Sequence, residues 1–196
     1  MSGKFLALLG CCAAGSAAAA PVPRFLPDHD VAVTYQLAIP GRDPQTYLLH
    51  YDAADELARI DSPAQHIFVL ANLPSGQAQV VVPALHAVVD TPDFSGITRQ
   101  IANAGGAHFT LLGHGHYAGF GCERYRITSH QGEAQACITH DGVVLQFDGH
   151  DSNGAAEVTA TSVTYAPQPS DEFMPPADFA NIRLSPGLLT ALLQSQ

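Results

Sequence analysis

Apolar side chains alternate with polar ones along much of the chain, and this period of two is the feature that most limits its fold. In the segment 31–39 the odd positions are Val, Val, Tyr, Leu and Ile, whereas Thr34 and Gln36 between them are polar. Successive side chains of a β-strand point to opposite faces, so the pattern predicts a strand with one buried face. The segment 47–51 repeats the alternation after a break rich in proline and glycine, and the two segments predict a hairpin.

Further strands follow from the same pattern. They are predicted at 56–61, 65–71, 77–82, 85–90, 122–129, 134–140, 143–148 and 155–165. Most connections are short, which favours neighbouring antiparallel strands over crossover helices. Asp-Gly at 141–142 and Asn-Gly at 153–154 are typical of hairpin turns. The apolar phase of the last strand shifts between Ala160 and Val163, which predicts a β-bulge or a sharp bend. No internal repeat is evident.

Two short helices are predicted beside the β-structure. In the segment 94–104 apolar residues lie three to four positions apart, and two glycines follow. Ser185 and Pro186 are typical of a helix start, and the leucines after them form an apolar stripe. A helix this short is stable only when docked, so we expect it to cover the sheet, with partner binding as the alternative. The proline-rich segment 166–179 is expected to pack in an extended form along the sheet.

The N-terminal residues differ from the rest and predict a secretory signal. Lys4 precedes an apolar stretch, and an alanine-rich end supplies an A-x-A pattern. We therefore expect removal of residues 1–19, with residues 20–196 forming a single antiparallel β domain. Its expected location is the periplasm of a Gram-negative bacterium, or outside the cell. Lipid attachment at Cys11 and an uncleaved anchor are the alternatives, although the apolar run is shorter than the ~20 residues that span a bilayer.

The charge of the chain restricts its partners. The chain has eighteen acidic residues and eight lysines and arginines, and Lys4 in the signal is the only lysine. Nucleic acids and anionic membranes attract basic surfaces, so neither is an expected partner. Without a lysine in the mature chain, a mechanism based on a lysine Schiff base is also excluded.

Cys122 and Cys137 are the two cysteines that remain once the signal is removed, and an oxidising compartment predicts a disulfide between them. Direct pairing in a simple hairpin would centre the turn between Ser129 and His130. The better turn sequence is Gln-Gly at 131–132. A bulge or a diagonal bridge would reconcile the two. A redox role is the weaker interpretation because the chain has no C-x-x-C.

Motifs for metal binding or catalysis are weak. His114 and His116 form an H-x-H, with His108 upstream, and these are the candidate metal ligands. No cysteine or carboxylate accompanies them at tight spacing, so solvated histidines are the favoured interpretation and neither a metal nor another cofactor is expected. The chain lacks G-x-S-x-G and H-E-x-x-H, and no catalytic residues are assigned. Asp28 and Asp30, which flank His29, are interpreted as a polar entry to the first strand.

Five segments resemble a family of uncharacterised secreted bacterial proteins of the DUF4412 type, which is similar in outline to the LolA/LolB lipoprotein-carrier fold. They are Asp30–Tyr35, Arg59–Asp61, Gly119–Tyr125, Cys137–Leu145 and Tyr165–Pro169. The resemblance implies a mainly β (α+β), LolA-like fold: a curved antiparallel sheet or incomplete β-barrel with one or two helices across its open side. It also implies a bridged cysteine pair and an apolar concavity. Fold does not fix function.

The expected function is a non-enzymatic periplasmic protein that binds a lipid or another apolar ligand in the concave face of the sheet. The candidate cavity residues are Val33, Tyr35, Leu37, Leu49, Tyr51, Phe68, Leu145 and Phe147. An ordinary packed core would explain each of them as well. The alternatives are a structural or interaction module of the cell envelope without a small ligand, and a weak metal binder through the three histidines.

Overall fold

A computed structural model describes residues 22–91, 107–129, 132–151 and 154–182. These residues form twelve β-strands in one open, curved sheet. The strands are β1 Val31–Ala38, β2 Gln45–Asp52, β3 Leu57–Ser62, β4 Ile67–Asn72, β5 Gln77–Val82, β6 Ala87–Thr91, β7 His108–Tyr117, β8 Phe120–Ser129, β9 Gly132–Ile138, β10 Val144–Asp151, β11 Gly154–Tyr165 and β12 Ala180–Ile182. The predicted mainly β architecture is confirmed.

Two meanders build the sheet, whose strand order is β12-β6-β5-β4-β3-β2-β1-β11-β10-β9-β8-β7. We call strands β1 to β6 the first meander and strands β7 to β11 the second. They join where β1 pairs with β11, and every pairing is antiparallel except that of β12 with β6. The short connections therefore join antiparallel neighbours, as predicted, because such strands need only a tight turn between them.

Four turns of the first meander share one geometry at a spacing of ten residues. Glu56, His66, Gly76 and His86 each precede a strand, with φ values of 50°, 51°, 66° and 46°. This left-handed conformation reverses the chain and suits glycine best, yet three of the four positions hold other residues. The regularity is therefore one of backbone geometry, which explains why the sequence shows no evident repeat.

Bulges bend the second meander and its junction with β1. Each leaves one residue without a partner in the register: Leu112 in β7, Leu145 in β10 and Thr161 in β11. The bulge at Thr161 lies between Ala160 and Val163, where the apolar phase shifts, so that prediction is confirmed. An extra residue on one strand increases the local twist and bends the sheet.

Strand β7 was not predicted, and the predicted helices are not shown. The glycines of β7 interrupt its alternation because they carry no side chain, which hides the strand in the sequence. The helical segments 94–104 and 185–193 lie outside the described residues. Within the described ranges the helical structure consists of two 3₁₀ turns, Pro83–Leu85 and Ser170–Phe173. None of these described helices has the length and apolar character to cross a membrane.

The described apolar side chains form a main core and two smaller clusters. The main core contains Val31, Val33, Tyr51, Ala58, Ala71, Ala78, Cys122, Cys137, Val143, Leu145 and Ala160. Phe68, Leu70, Val81 and Val88 form a second cluster, against which Phe179 packs. Phe109, Tyr125, Ala136 and Ile138 form a third, against which Phe25 packs. The chain thus buries apolar residues on both faces of one sheet.

Residues 166–182, which we call the C-terminal strap, cross the first meander. The backbone N–H of Gln168 donates to the Asp30 carboxylate at 3.1 Å, and Phe173 is buried. Further along, the Phe179 ring stacks on His86 with centroids 5.2 Å apart, and β12 then pairs with β6. The strap therefore covers part of the face that carries the Phe68 cluster, and it forms one wall of the groove described next.

Candidate binding groove

The disulfide between Cys122 and Cys137 is a diagonal bridge. Register places Arg124 directly opposite Cys137, so Cys122 lies two positions away, with Cα atoms 5.4 Å apart. Both cysteines are buried in the main core. A Cβ at Gly115 on β7 would lie only 2.6 Å from Sγ of Cys137, so the bridge needs a glycine beside it. Of the two arrangements that the sequence left open, the structure therefore has the diagonal one.

Five of the eight candidate cavity residues are part of the main core or pack against it. They are Val33, Tyr35, Leu49, Tyr51 and Leu145. Val33, Tyr51 and Leu145 are 2%, 3% and 0% exposed. The Tyr35 hydroxyl donates to the Val144 carbonyl at 2.8 Å, and burial, with a smaller contribution from Tyr165, raises the pKa of Tyr35. These five side chains therefore contribute to the main core of the described residues.

Leu37, Phe147 and Phe68 lie apart from that core. Leu37 is half-buried, and Phe147 is 36% exposed. Phe68 lies opposite Asp61, which lies opposite Leu48, so Phe68 and Leu48 share a face of the sheet. The core residue Leu49 points to the other face. Phe68 is therefore the one candidate of the eight that lines the groove.

The groove lies between strands β2 to β4 and the C-terminal strap and has a volume of about 620 Å³. Its lining combines apolar and charged side chains: Leu48, His50, Arg59, Asp61, Ser62, Pro63, His66, Ile67, Phe68, Pro83 and Glu172. All but Glu172 and Pro83 come from β2 to β4 and the turn between β3 and β4. The strap thus completes a site whose other walls belong to the sheet.

Arg59 is held over the groove by a charged partner and an aromatic ring. Its guanidinium carbon lies 4.0 Å from the centre of the Phe68 ring, within cation–π range. Nε and Nη2 donate to the two Asp61 carboxylate oxygens at 2.9 and 2.8 Å, and Nη1 donates to the Glu172 carbonyl at 3.2 Å. Three of its five N–H groups are engaged, and its charge is paired.

His50 and Glu172 form the second polar part of the groove. Nδ1 of His50 lies 2.9 Å from Oε1 of Gln168 and 3.2 Å from Oε2 of Glu172. One N–H directs its hydrogen at one acceptor, and the shorter contact favours Gln168. Among the described residues, the buried Oε2 of Glu172 accordingly has no hydrogen-bond donor. The Glu172 carboxylate is thus near His50 but incompletely satisfied.

The three candidate histidines do not converge. His108 begins β7, while His114 and His116 lie near its other end, and all three are exposed. At ~3.3 Å per strand residue, His108 and His114 are about 20 Å apart along the strand. One ion cannot bridge that distance. Within the described ranges, the cluster that the structure does form involves other residues.

Asp28, His29 and Asp141 bring potential ligand atoms within 4.8 Å of one another. Burial alone would raise the pKa of Asp141, but hydrogen bonds with Thr139, Tyr165 and the Asp141 backbone, together with nearby His29, lower that pKa below its ordinary value. Burial, followed by the interaction with Asp141, raises the pKa of Tyr165 to about 12. The cluster is largely exposed, and it ties the segment before β1 to the turn between β9 and β10. No local pattern indicates it, because Asp141 is more than a hundred positions from the other two residues.

Sequence reasoning missed the polar residues of the groove. His50 and Arg59 lie directly opposite one another on β2 and β3. Had the alternating pattern been followed along both β2 and β3, it would have placed His50 and Arg59 on the face away from the core. Glu172 carried no such signal, since it lies in a 3₁₀ turn of the strap, 113 positions from Arg59. Its position depends on how the strap docks.

No protein-family model and no curated protein matches this chain. Solved structures do match. An uncharacterized conserved protein from Thermus thermophilus aligns with 80% of this chain and 91% of its own, at 13% identity and a TM-score of 0.59. The Pseudomonas aeruginosa MucA/MucB complex aligns with 80% of this chain and 59% of the matched chain, at 12% identity and a TM-score of 0.55.

A LolA superfamily protein from Nitrosomonas europaea is also among the structural neighbours. It is 12% identical over 77% of this chain and 92% of its own, with a TM-score of 0.38. The Thermus thermophilus and Pseudomonas aeruginosa structures share the general fold of this chain, and at such identities the likeness bears on fold alone. The resemblance to the DUF4412 type is not matched by a family model.

Proposed function

We propose that this chain is a non-enzymatic, extracytoplasmic binding protein that holds a lipid or another apolar ligand in the groove beside the C-terminal strap. The groove of about 620 Å³, with Leu48, Ile67, Phe68 and two prolines in its lining, is the observation that carries the proposal. Ligand sites commonly enclose roughly 300–1,000 Å³ and combine mostly apolar walls with a few polar groups. The proposed site differs from the sequence-based one because most of the earlier candidates belong to the main core or pack against it.

Export from the cytoplasm belongs to the same proposal. The pattern of residues 1–19 supports delivery of residues 20–196 to the periplasm or the medium, and the bonded cysteines suit an oxidising compartment. No catalytic role is proposed for any residue.

A protein partner is the second candidate. The similarity to MucB in its complex with MucA favours this alternative, since that protein of the same general fold has a protein partner. The acidic composition of the present chain would suit a basic partner. An interaction module and an apolar carrier make different predictions for what copurifies with the protein.

Native mass spectrometry of protein purified from the periplasm, combined with binding of a fluorescent fatty acid, tests the proposal. A lipid-sized added mass and saturable binding are expected. Ile67→Asp places a charge in the groove and should weaken binding by tenfold or more, because burying an unpaired carboxylate is costly. Leu111→Asp is the matched control, since Leu111 is 46% exposed on β7, away from the groove, and should bind like the parent.

The results separate the candidates. Delipidated, folded protein that binds no apolar probe would contradict the carrier function. A copurifying polypeptide without a lipid would instead favour the interaction module. Equal losses of binding in both aspartate variants would show that the probe binds outside the groove.

A further inference from the structure

We infer that the ligand of this groove carries an aromatic ring, and that the imidazole of His66 stacks on that ring. The inference rests on the proposed function and names the chemical class of the ligand. It follows from two matching turns of the first meander, one of which already holds an aromatic side chain of the chain itself.

The turn before β4 and the turn before β6 have the same construction. Residues 63–66 and 83–86 both read Pro-Ala-x-His. In each turn the backbone N–H of the histidine donates to the proline carbonyl, at 3.4 Å in the first and 3.0 Å in the second. Both histidines adopt the left-handed conformation, with φ values of 51° and 46°. One backbone geometry therefore presents both imidazole rings.

The two turns also lie at the same end of the sheet. Strands β3 to β6 are consecutive antiparallel neighbours, so alternate turns meet at one end, roughly 10 Å apart for two strand spacings. His66 and Pro83, one residue from each turn, line the groove together with Phe68. The two turns thus stand side by side at the groove.

The turn before β6 holds an aromatic ring. The Phe179 ring of the strap stacks on His86, with centroids 5.2 Å apart and an interplanar angle of 16°. This distance and near-parallel arrangement are those of stacked aromatic pairs. Phe179 also packs against the cluster that contains Phe68, and the backbone N–H of Ala180 donates to the His86 carbonyl at 2.9 Å. A Pro-Ala-x-His turn of this sheet therefore accommodates an aromatic side chain.

The turn before β4 presents its ring to the groove. His66 is exposed and lines the groove, and no aromatic ring of the described residues stacks on it. Leu48, Ile67 and Pro63 supply apolar surface in the same lining. An aromatic ligand in the groove would meet at His66 the kind of surface that Phe179 meets at His86.

A matched pair of ligands tests the inference on the mature chain. Phenylbutanol and cyclohexylbutanol, each with its ring and hydroxyl at opposite ends of one alkyl chain, would compete against a fluorescent fatty acid. Burial alone gives the phenyl ligand no advantage, because the saturated ring has at least as much apolar surface. We expect the phenyl ligand to bind roughly threefold to tenfold more tightly, the size of one aromatic stack.

His66→Asn should remove the preference for the phenyl ligand and leave the affinity for cyclohexylbutanol unchanged. Asparagine tolerates the left-handed conformation but has no ring. Glu56→Asn is the matched control, because it makes the same change at φ 50° in the turn before β3, outside the groove lining. This variant should retain the preference. The comparison on the unmodified chain needs no variant, so a folding defect in His66→Asn would not prevent the test.

The outcomes distinguish the two levels of the proposal. Equal binding of the two ligands, or tighter binding of cyclohexylbutanol, would overturn the inference and leave apolar binding intact. A phenyl preference that persists in folded His66→Asn, or one that also disappears in Glu56→Asn, would overturn the role of His66. Failure of the unmodified chain to bind the fatty acid and both ligands would overturn the proposed function, and the inference with it.

Discussion

The two meanders of the sheet obtain their shape in different ways. From β2 to β6 the registers run without a shift, and turns of one geometry recur every ten residues. In the second meander the register shifts at Leu112 and Leu145, and a disulfide joins β8 to β9. The first meander is therefore regular and presents a groove, whereas the second is bent and covalently fixed.

The difference shows how one sheet can both enclose a core and offer a site. Bulges bend the second meander, and its Cys122 and Cys137 share the main core with Val31 and Val33 of the first meander. The strands β2 to β6, which pair without a register shift, leave their other face for the strap. This division of roles predicts that substitutions in the second meander lower the free energy of unfolding strongly. Substitutions in the turns of the first meander should change it by less.

Removal of the disulfide should have the largest effect. The Cys122→Ala, Cys137→Ala double variant opens a loop with a sequence separation of 15, and the chain-entropy model predicts a loss of about 3 kcal/mol in the free energy of unfolding. Urea unfolding of both proteins measures it. Reduction of the parent chain should produce a similar loss, and a change below ~1 kcal/mol would argue against covalent fixing of this meander.

Gly115→Ala should have the second-largest effect on stability, because its Cβ would lie 2.6 Å from the bonded Sγ of Cys137. Overpacking of this kind costs roughly 1–3 kcal/mol. Gly121→Ala is the control on the adjacent strand, where a Cβ meets nothing within 4 Å, and should change stability by less than ~0.5 kcal/mol. In the double cysteine variant, Gly115→Ala should lower the free energy of unfolding by less than it does in the parent chain. An equal loss in both backgrounds would show that the effect of Gly115→Ala does not come from contact with the disulfide.

Substitutions at the repeated turns of the first meander should shift stability by less, and in opposite directions. Gly76→Ala places a Cβ at φ 66° and should cost about 1 kcal/mol, whereas Glu56→Gly relieves the same conformation at φ 50° and should stabilise by up to ~1 kcal/mol. Thermal unfolding of the two variants beside the parent measures both. The same sign for both would contradict a shared turn geometry.

The smallest effect concerns pH and the Asp141–Tyr165 pair beside the second meander. The folded pKa of Asp141 is lowered, so its stabilisation is present above the unfolded value of about 3.9 and is lost as pH falls through the folded pKa. The folded pKa of Tyr165 is raised to about 12, so its contribution is full below the unfolded value of about 10 and is lost as pH rises through 12.

Asp141→Asn should therefore be less stable than the parent at neutral pH by under ~1 kcal/mol, a size typical of exposed pairs, and the difference should shrink in acid. Thermal unfolding across the acidic range measures it, with Asp148→Asn on β10 as an exposed control. A difference between the parent and Asp141→Asn that stays constant into acid would contradict the assigned direction of the pKa shift.

Much of the strand pattern could be predicted because alternation is a local property. The hairpins of the first meander and the phase shift between Ala160 and Val163 both follow from neighbouring residues. Strand β7 escaped prediction because glycines carry no side chain to alternate. Glu172 of the groove escaped prediction because its partners His50 and Arg59 are more than a hundred positions away, and no local pattern indicates where the strap will dock.

By itself, the sequence determined that the chain forms antiparallel strands with two unlike faces and that Cys122 and Cys137 were available to each other. Tertiary structure alone decided which face carries the main core and which carries the groove. Alternation separates the two sides of a strand but does not state what covers either side. Cover depends on the register across all twelve strands and on the path of the strap, and both are set by contacts between residues far apart in the chain.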